Sequence, residues 1–396
     1  MHTVFIHGGS RWKIDCDGIK YTDSNLTKTT WETYERYSDS FTVILRTDNT
    51  TYDSVYARSS FNEFEEKHGS CMLPDIYHPV RSFFSKKKRN EIKDKITKEL
   101  KNADRLIIRE PGNFYTNYAV KIAQRNKIPY LIEVTSNVFD TLWHHGSLGK
   151  IKAVLGERTL KRIIREAPFA IYVTEGYLQS RYPTNGKTIG CSDVDIDMLS
   201  DAEFSDKENL ITDKNLLRVG TAAYLDVDYK GQKDVIRAIA NLYKKGICCF
   251  EYHLIGNGTG VSLLNLTNEL GISGRTIIDG SLPHEQVPSW MDELDLYIQP
   301  SYTEGLCRSL VEALGRGCPI ICSNVGGNYE IVDKKDMFSK KNVSEIEELL
   351  QSFICKERRK QSIRNSKMKA KKFRKEVLET TRNGFMDDFF RNNNCY

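Results

Sequence analysis

The sequence predicts an α/β protein of two domains, each built around a mostly parallel sheet. Three observations carry this reading. The 396 residues exceed the roughly 250–300 at which a single hydrophobic core stops growing. Short apolar runs alternate with helix-period stretches almost from end to end, as strand and helix layers require. A polar, acidic stretch from Asp201 to Asn215 shows no clear periodicity and separates the runs into two series. The expected division is 1–205 and 206–375, facing each other across a cleft, with a last helix over 376–396 packing back on the first domain.

In the first series the strand candidates are Thr3 to His7, Phe41 to Leu45, Arg105 to Ile108, Tyr130 to Val134 and Ala170 to Val173. Helical patterns lie between them, notably Asn90 to Lys101 and Thr116 to Asn126. The stretch HGGSRW, His7 to Trp12, reads as a glycine turn after the first strand. The second series reads as strand LLRVGTA, helix KDVIRAIANLYKKG, strand FEYHLIG, helix SLLNLTNELG, strand TIIDG, helix HEQVPSWMDEL and strand LYIQP, then helix SLVEALGRG and strand PIICSN. That alternation is a doubly wound, Rossmann-like half. The last helical pattern runs from Arg374 to Phe390.

Composition narrows the class. With 39% hydrophobic and 28% charged residues the chain matches ordinary globular proteins and neither disordered nor collagen-like ones. No apolar run approaches the roughly 20 residues that span a bilayer, and the apolar part of MHTVFIHGGSRW is too short for a signal peptide. A cytoplasmic location is expected. The ten cysteines lack the paired spacings of zinc sites or secreted disulfide frameworks and read as reduced packing residues. The net charge of +5 is unevenly placed, with Lys86, Lys87, Lys88 and Arg89 in one run and a basic stretch from Lys356 to Lys375. Aromatic interleaving is sparse there, which speaks against nucleic acid. A solvated helix face or an anionic membrane surface suits these stretches better.

The richest stretch in chemistry is Gln299 to Ile331, QPSYTEGLCRSLVEALGRGCPIICSNVGGNYEI. A strand ends near Gln299, a loop carries Glu304 and Gly305, and an amphipathic helix follows. The start of that helix offers free N–H donors and partial positive charge, which favour phosphate. Glu312 lies about two helical turns beyond Glu304, so the two carboxylates address different parts of an extended ligand. Glu312 suits a ribose diol and Glu304 the hydroxyls of a sugar beside a diphosphate.

The stretch resembles the family four retaining glycosyltransferases. Their E-x7-E motif and the G-x-P and GG-x-x-E pattern behind it match Glu304, Glu312, Gly317, Pro319, Gly326, Gly327 and Glu330. The resemblance implies the GT-B fold, two Rossmann-like domains facing a cleft, and transfer of a sugar from a nucleoside diphosphate donor, UDP- or GDP-linked, to an acceptor hydroxyl with retention. It places Gly305 and Leu306 at the donor beside Glu304. Lys230 and Gly231 match the family's lysine-glycine pair, implying that Lys230 meets the donor diphosphate, which a lysine can neutralise without metal. No cofactor and no metal are expected. Thr221 stands where many relatives have arginine, and Arg308 in the first turn of the helix is a candidate to supply that charge to phosphate. Gly256 and Gly258 match the family's glycine turn, and Asp279 to Leu282, with Ser281, matches the segment beside the nucleotide base.

The first domain is expected to bind the acceptor, a glycan or lipid-linked sugar. In IEVTSNVFDTLWHHGSLGK, His144 and His145 follow a strand, where ligands sit in open α/β sheets. Similar enzymes use a histidine in this region near the donor sugar; His145 is preferred over His144. YVTEGYLQSRYP, with Thr174 and Arg181, and CSDVDI extend the resemblance to bacterial enzymes of surface-polysaccharide assembly. The rival expectation, motivated by Thr221 and by Cys307 where proline is frequent, is an inactive, regulatory homologue that binds nucleotide sugar.

Overall fold

The computed structural model describes residues 1–23, 26–65, 67–137, 139 and 146–391, the side chains at 80, 146–153 and 155 excepted. The chain divides into two compact units. Met1–Val173, Gln179–Gly190 and Arg382–Tyr396 form the first; Thr174–Leu178 and Cys191–Thr381 form the second.

Among the described residues the first unit holds nine strands: β1 (His2–Asp15), β2 (Lys20–Thr22), β3 (Ser40–Tyr52), β4 (Asn62–Glu63), β5 (Gly69–Leu73), β6 (Arg105–Arg109), β7 (Tyr130–Val134), β8 (Phe169–Tyr172) and β9 (Lys187–Gly190). Seven of them run parallel in the order β5-β3-β1-β6-β7-β8-β9, and β2 and β4 add an antiparallel ribbon along the far end of β1. Every residue of β6, β7 and β8 is buried, as expected of central strands covered on both faces.

HGGSRW is not a turn. The chain runs on as strand through all fourteen residues of β1, with a register shift between the pairs Ile6–Ile44 and Arg11–Arg46, a β-bulge rather than a reversal. The glycines serve close passage. A Cβ on Gly8 would stand 2.0 Å from the Glu110 carbonyl oxygen, and one on Gly9 2.4 Å from the Glu110 carboxylate. Beyond the bulge polar side chains are buried in pairs: Lys13 Nζ reaches Asp48 at 2.9 Å and the Tyr21 hydroxyl donates to Asp15 at 3.0 Å.

The C-terminal helix, Lys375–Arg391, ends in the first unit. Phe385 and Phe389 pack on Phe169, Phe390 stacks on Tyr37 at 4.8 Å, and Arg105 donates to the Phe390 carbonyl. Buried Glu133 of β7 collects this face: it accepts from the Tyr34 hydroxyl at 2.8 Å and from Arg382 at 3.1 Å, and Arg109 lies 3.7 Å away.

The second unit is a six-stranded parallel sheet of β10 (Leu217–Ala222), β11 (Phe250–Ile255), β12 (Thr276–Gly280), β13 (Leu296–Gln299), β14 (Ile320–Ser323) and β15 (Met337–Phe338), in the order β12-β11-β10-β13-β14-β15. The helix Gln232–Lys244 buries Val235, Ile236, Ile239 and Leu242 in the core of this sheet. The stretch expected to be an aperiodic connection is in part a helix, Asp201–Asn209, belonging to this unit. Ser200 and Glu203 close a reciprocal capping box at its start, and Phe204 is its one buried side chain. Local capping forms a helix that hydrophobic periodicity does not announce. Among the described residues no helix is long and apolar enough to cross a membrane.

Glu133→Ala withdraws the carboxylate that two inward-facing arginines share, and loss of one partner of a buried ion pair costs about 3 kcal/mol or more. The expected result is a clearly lower urea midpoint, with Glu133→Gln falling between the variant and the parent.

Candidate functional site

In the second sheet the chain moves outward from β10 through β11 and β12, then returns to the other side of β10 as β13. The loops after β10 and β13 therefore diverge at the carboxyl edge, the switch point where open α/β sheets bind ligands. The first loop carries Lys230 and the second Glu304.

The two side chains are in direct contact. Lys230 Nζ donates to Glu304 Oε1 at 2.7 Å, both largely buried. Burial by itself depresses the ammonium's pKa, but the Glu304 carboxylate more than offsets this, so the Lys230 pKa ends above its ordinary value. Backbone packing holds the loops together. Gly231 sits at φ +76°, where a Cβ would stand 2.1 Å from the Pro300 carbonyl oxygen. Tyr302 donates its N–H to the Tyr229 carbonyl at 2.8 Å and its hydroxyl to Asp234 at 2.7 Å.

The glycine pair after β14 braces the same loop from its other side. Gly326, at φ +56°, leaves no room for a Cβ, which would lie 2.1 Å from the Glu304 carbonyl oxygen, and the Gly327 N–H donates to the Gly305 carbonyl at 2.7 Å. Glu330, three residues on, accepts from the N–H groups of Glu175, Gly176 and Tyr177 at 2.6, 3.0 and 2.8 Å. Within that segment the Thr174 hydroxyl accepts from the Leu178 N–H, whereas Arg181 pairs with Glu157 in the first unit.

Sequence reading did not single out Gln299, yet it organises the floor of the site. This buried amide donates to Ser301 at 2.8 Å and lies 3.5 Å from Glu304 Oε1, while its oxygen accepts from the Tyr297 and Ser309 hydroxyls. Only its place at the end of an apolar strand signalled it. Thr221 is internal: its hydroxyl lies against the Tyr252 hydroxyl and the Ile298 carbonyl, closing the sheet rather than presenting a polar group at the loop.

The helix Arg308–Gly315 begins just beyond Glu304 with Cys307 as its cap, whose side chain makes no capping bond. Burial and the Glu304 carboxylate push the Cys307 thiol up to about 12. The Arg308 guanidinium lies 3.7 Å from Asp193, so its charge is shared with that carboxylate. Glu312 is part-buried on the same helix, 3.7 Å from the exposed His284. Leu306 is buried between the loop and the helix. On the other side of β10, Gly256 and Gly258 at φ +140° and +124° shape the turn after β11. Asp226 fastens that turn by accepting from the Thr259 and Gly260 N–H groups, and Ser281 donates to Asn257 at 2.9 Å. Asp226 is a second residue that no sequence motif pointed to. His144 and His145 lie outside the described residues.

In the first unit His7, at the bulge of β1, is buried and accepts at Nδ1 from the Gly9 and Ser10 N–H groups. Burial, with Arg109 and Arg46 nearby, drives its pKa well down. It is therefore a neutral ring with its proton on Nε2.

Residues 203–370 match the model for glycosyl transferases group 1. Protein CapJ of Staphylococcus aureus is 30% identical over 386 residues, 96% of this chain and 94% of its own. The amylovoran biosynthesis glycosyltransferase AmsK of Erwinia amylovora is 31% identical over 124 residues, 30% of each chain. The Anabaena protein HepE in complex with UDP superimposes with a TM-score of 0.65 at 14% identity, covering 98% of this chain and 100% of HepE. Its complex with UDP-glucose gives a TM-score of 0.64 at 16% identity and the same coverage. With two parallel-sheet units and these relatives, the chain belongs to the group 1 glycosyl transferases of GT-B fold.

Proposed function

We propose that the chain transfers a sugar from a nucleoside diphosphate sugar to a hydroxyl of a glycan or lipid-linked acceptor, with retention and without metal, in assembly of a cell-surface polysaccharide. The observation that carries this is the Lys230–Glu304 contact at the switch point. The polysaccharide context is supported by AmsK, a glycosyltransferase of amylovoran biosynthesis, and a uridine diphosphate donor by the ligands of HepE.

The pair divides the donor between two chemistries. An ammonium has three N–H donors, of which Glu304 takes one, leaving Lys230 able to meet the diphosphate as its bond to the sugar breaks. Negative charge grows on that phosphate in the transition state, and a fixed cation of low mobility there lowers the barrier. Glu304, turned to the sugar side, accepts from hydroxyls of the transferred ring. The family's second glutamate, Glu312, on the helix behind, is assigned the ribose. Retaining glycosidases hold two carboxylates around the anomeric carbon, whereas here Glu304 and Glu312 are assigned to the sugar hydroxyls and the ribose. In the same-face route the leaving phosphate takes the acceptor's proton as the new glycosidic bond forms.

A panel of UDP, GDP and ADP with their sugar conjugates, followed by isothermal calorimetry in chelator, tests the reading. UDP or GDP should bind without metal, and absence of all nucleotide binding would overturn the proposal. Glu304→Gln, which keeps shape and removes charge, should lower kcat by roughly 10²–10³, the scale of one lost transition-state contact, with nucleotide affinity little changed.

A pH profile follows from Lys230. Because its pKa is raised, its charge and the contact with Glu304 are fully present below its ordinary value of 10.5 and disappear only as pH rises through the higher folded-state value. The UDP dissociation constant should therefore stay flat between about pH 7.5 and 9.5, and a Lys230→Met variant should bind about tenfold or more weakly across that window.

A further inference from the structure

The two basic stretches of the sequence differ once folded. Along Lys356–Ala370 and the turn behind it, cations are matched to carboxylates of the same unit: Lys356 to Asp213, Arg358 to Asp336, Arg364 to Glu208, Lys367 to Asp201 and Lys369 to Asp333. That stretch is a neutralised structural face. In the other run Lys88 is held by Ser82 at 3.1 Å, and the Arg89 guanidinium lies 4.4 Å from the centre of the Phe83 ring. What remains exposed is Arg81, Lys86 and Lys87, which enter no ion pair among the described residues. No acidic residue occurs between Ile76 and Asn90.

Phe84 stands among these cations and is 80% exposed, more than any other large hydrophobic side chain described. It is not loosely hung. Phe84 meets Phe83 edge to face at 5.6 Å, and Phe83 is stacked on Tyr77 and backed by Arg89. Lys86 and Lys87 open the helix Lys86–Leu100, whose first turn contains no acidic residue. Cations there oppose the helix dipole. The arrangement thus works against local stability twice, through misplaced charge and through a solvated aromatic ring.

Both costs are offset by one kind of partner, an anionic surface with an apolar layer beneath it. From this patch we infer that the first unit docks on an anionic lipid bilayer, with Phe84 entering the headgroup boundary and Arg81, Lys86 and Lys87 facing lipid phosphates. The attachment is independent of sugar transfer, so it stands or falls separately from the proposed activity.

Cosedimentation of the full chain with vesicles of 30% phosphatidylglycerol in phosphatidylcholine, against pure phosphatidylcholine, provides the test. Binding should require the anionic lipid. The double variant Lys86→Ser/Lys87→Ser should weaken it about 30-fold, from about 1 kcal/mol per lysine, and Phe84→Ser about tenfold. A control, Lys356→Ser/Lys369→Ser, should change it little. Circular dichroism of each variant checks that the fold survives, as expected for exposed side chains. No binding to anionic vesicles, equal binding to neutral ones, or binding that both patch variants leave unchanged would overturn the inference. So would retention on heparin in the absence of vesicle binding, which would mark the patch as a site for a soluble polyanion.

Discussion

The candidate site depends on a steric constraint: the backbone from Pro300 to Gly305 is gripped by glycines on both sides. Gly231 passes the Pro300 carbonyl and Gly326 passes the Glu304 carbonyl at distances no side chain would permit. These are main-chain contacts, set by the spacing of three loops at the edge of one sheet. The loops bearing Glu304 and Lys230 are thereby held at contact distance, and the polar group beneath them, Gln299, bonds to its own strand at Tyr297, to the loop at Ser301 and to the following helix at Ser309. A site built this way is preorganised before any ligand arrives, the condition under which charge stabilisation is most effective.

Much of this was legible because the sequence signals were of the right kind. Runs such as RLIIR and YLIEV lie in strands buried on both faces, and their central residues, Leu106 to Ile108 and Leu131 to Ile132, are apolar. The two glutamates and the following glycines could be read because a loop, a helix and a turn fix their intervals.

What escaped reading was held by polar pairing or by local capping. HGGSRW reads as a turn in sequence, and Arg11, Lys13 and Asp15 are unremarkable as surface residues. They are held by polar partners, Arg11 and Lys13 by Asp75 and Asp48 from distant parts of the chain and Asp15 by nearby Tyr21. The helix Asp201–Asn209 buries a single side chain, too little for a periodic signal. Gln299 and Asp226 act through partners that no spacing rule predicts. The pairing of Arg308 with Asp193 at 3.7 Å is another that no spacing rule predicts.

The buried thiols have a chemical consequence. Cys307 stands beside Lys230 and Glu304, but burial and the Glu304 carboxylate push its thiol up to about 12, which keeps it protonated at neutral pH, and the thiolate is the form that reacts. Cys318 and Cys322 are likewise enclosed, whereas Cys16, Cys248 and Cys355 are exposed. Peroxide or an alkylating reagent meeting the folded chain therefore finds targets at its periphery and none beside Lys230. The redox state of the surroundings can change while the chemistry at the switch point stays the same.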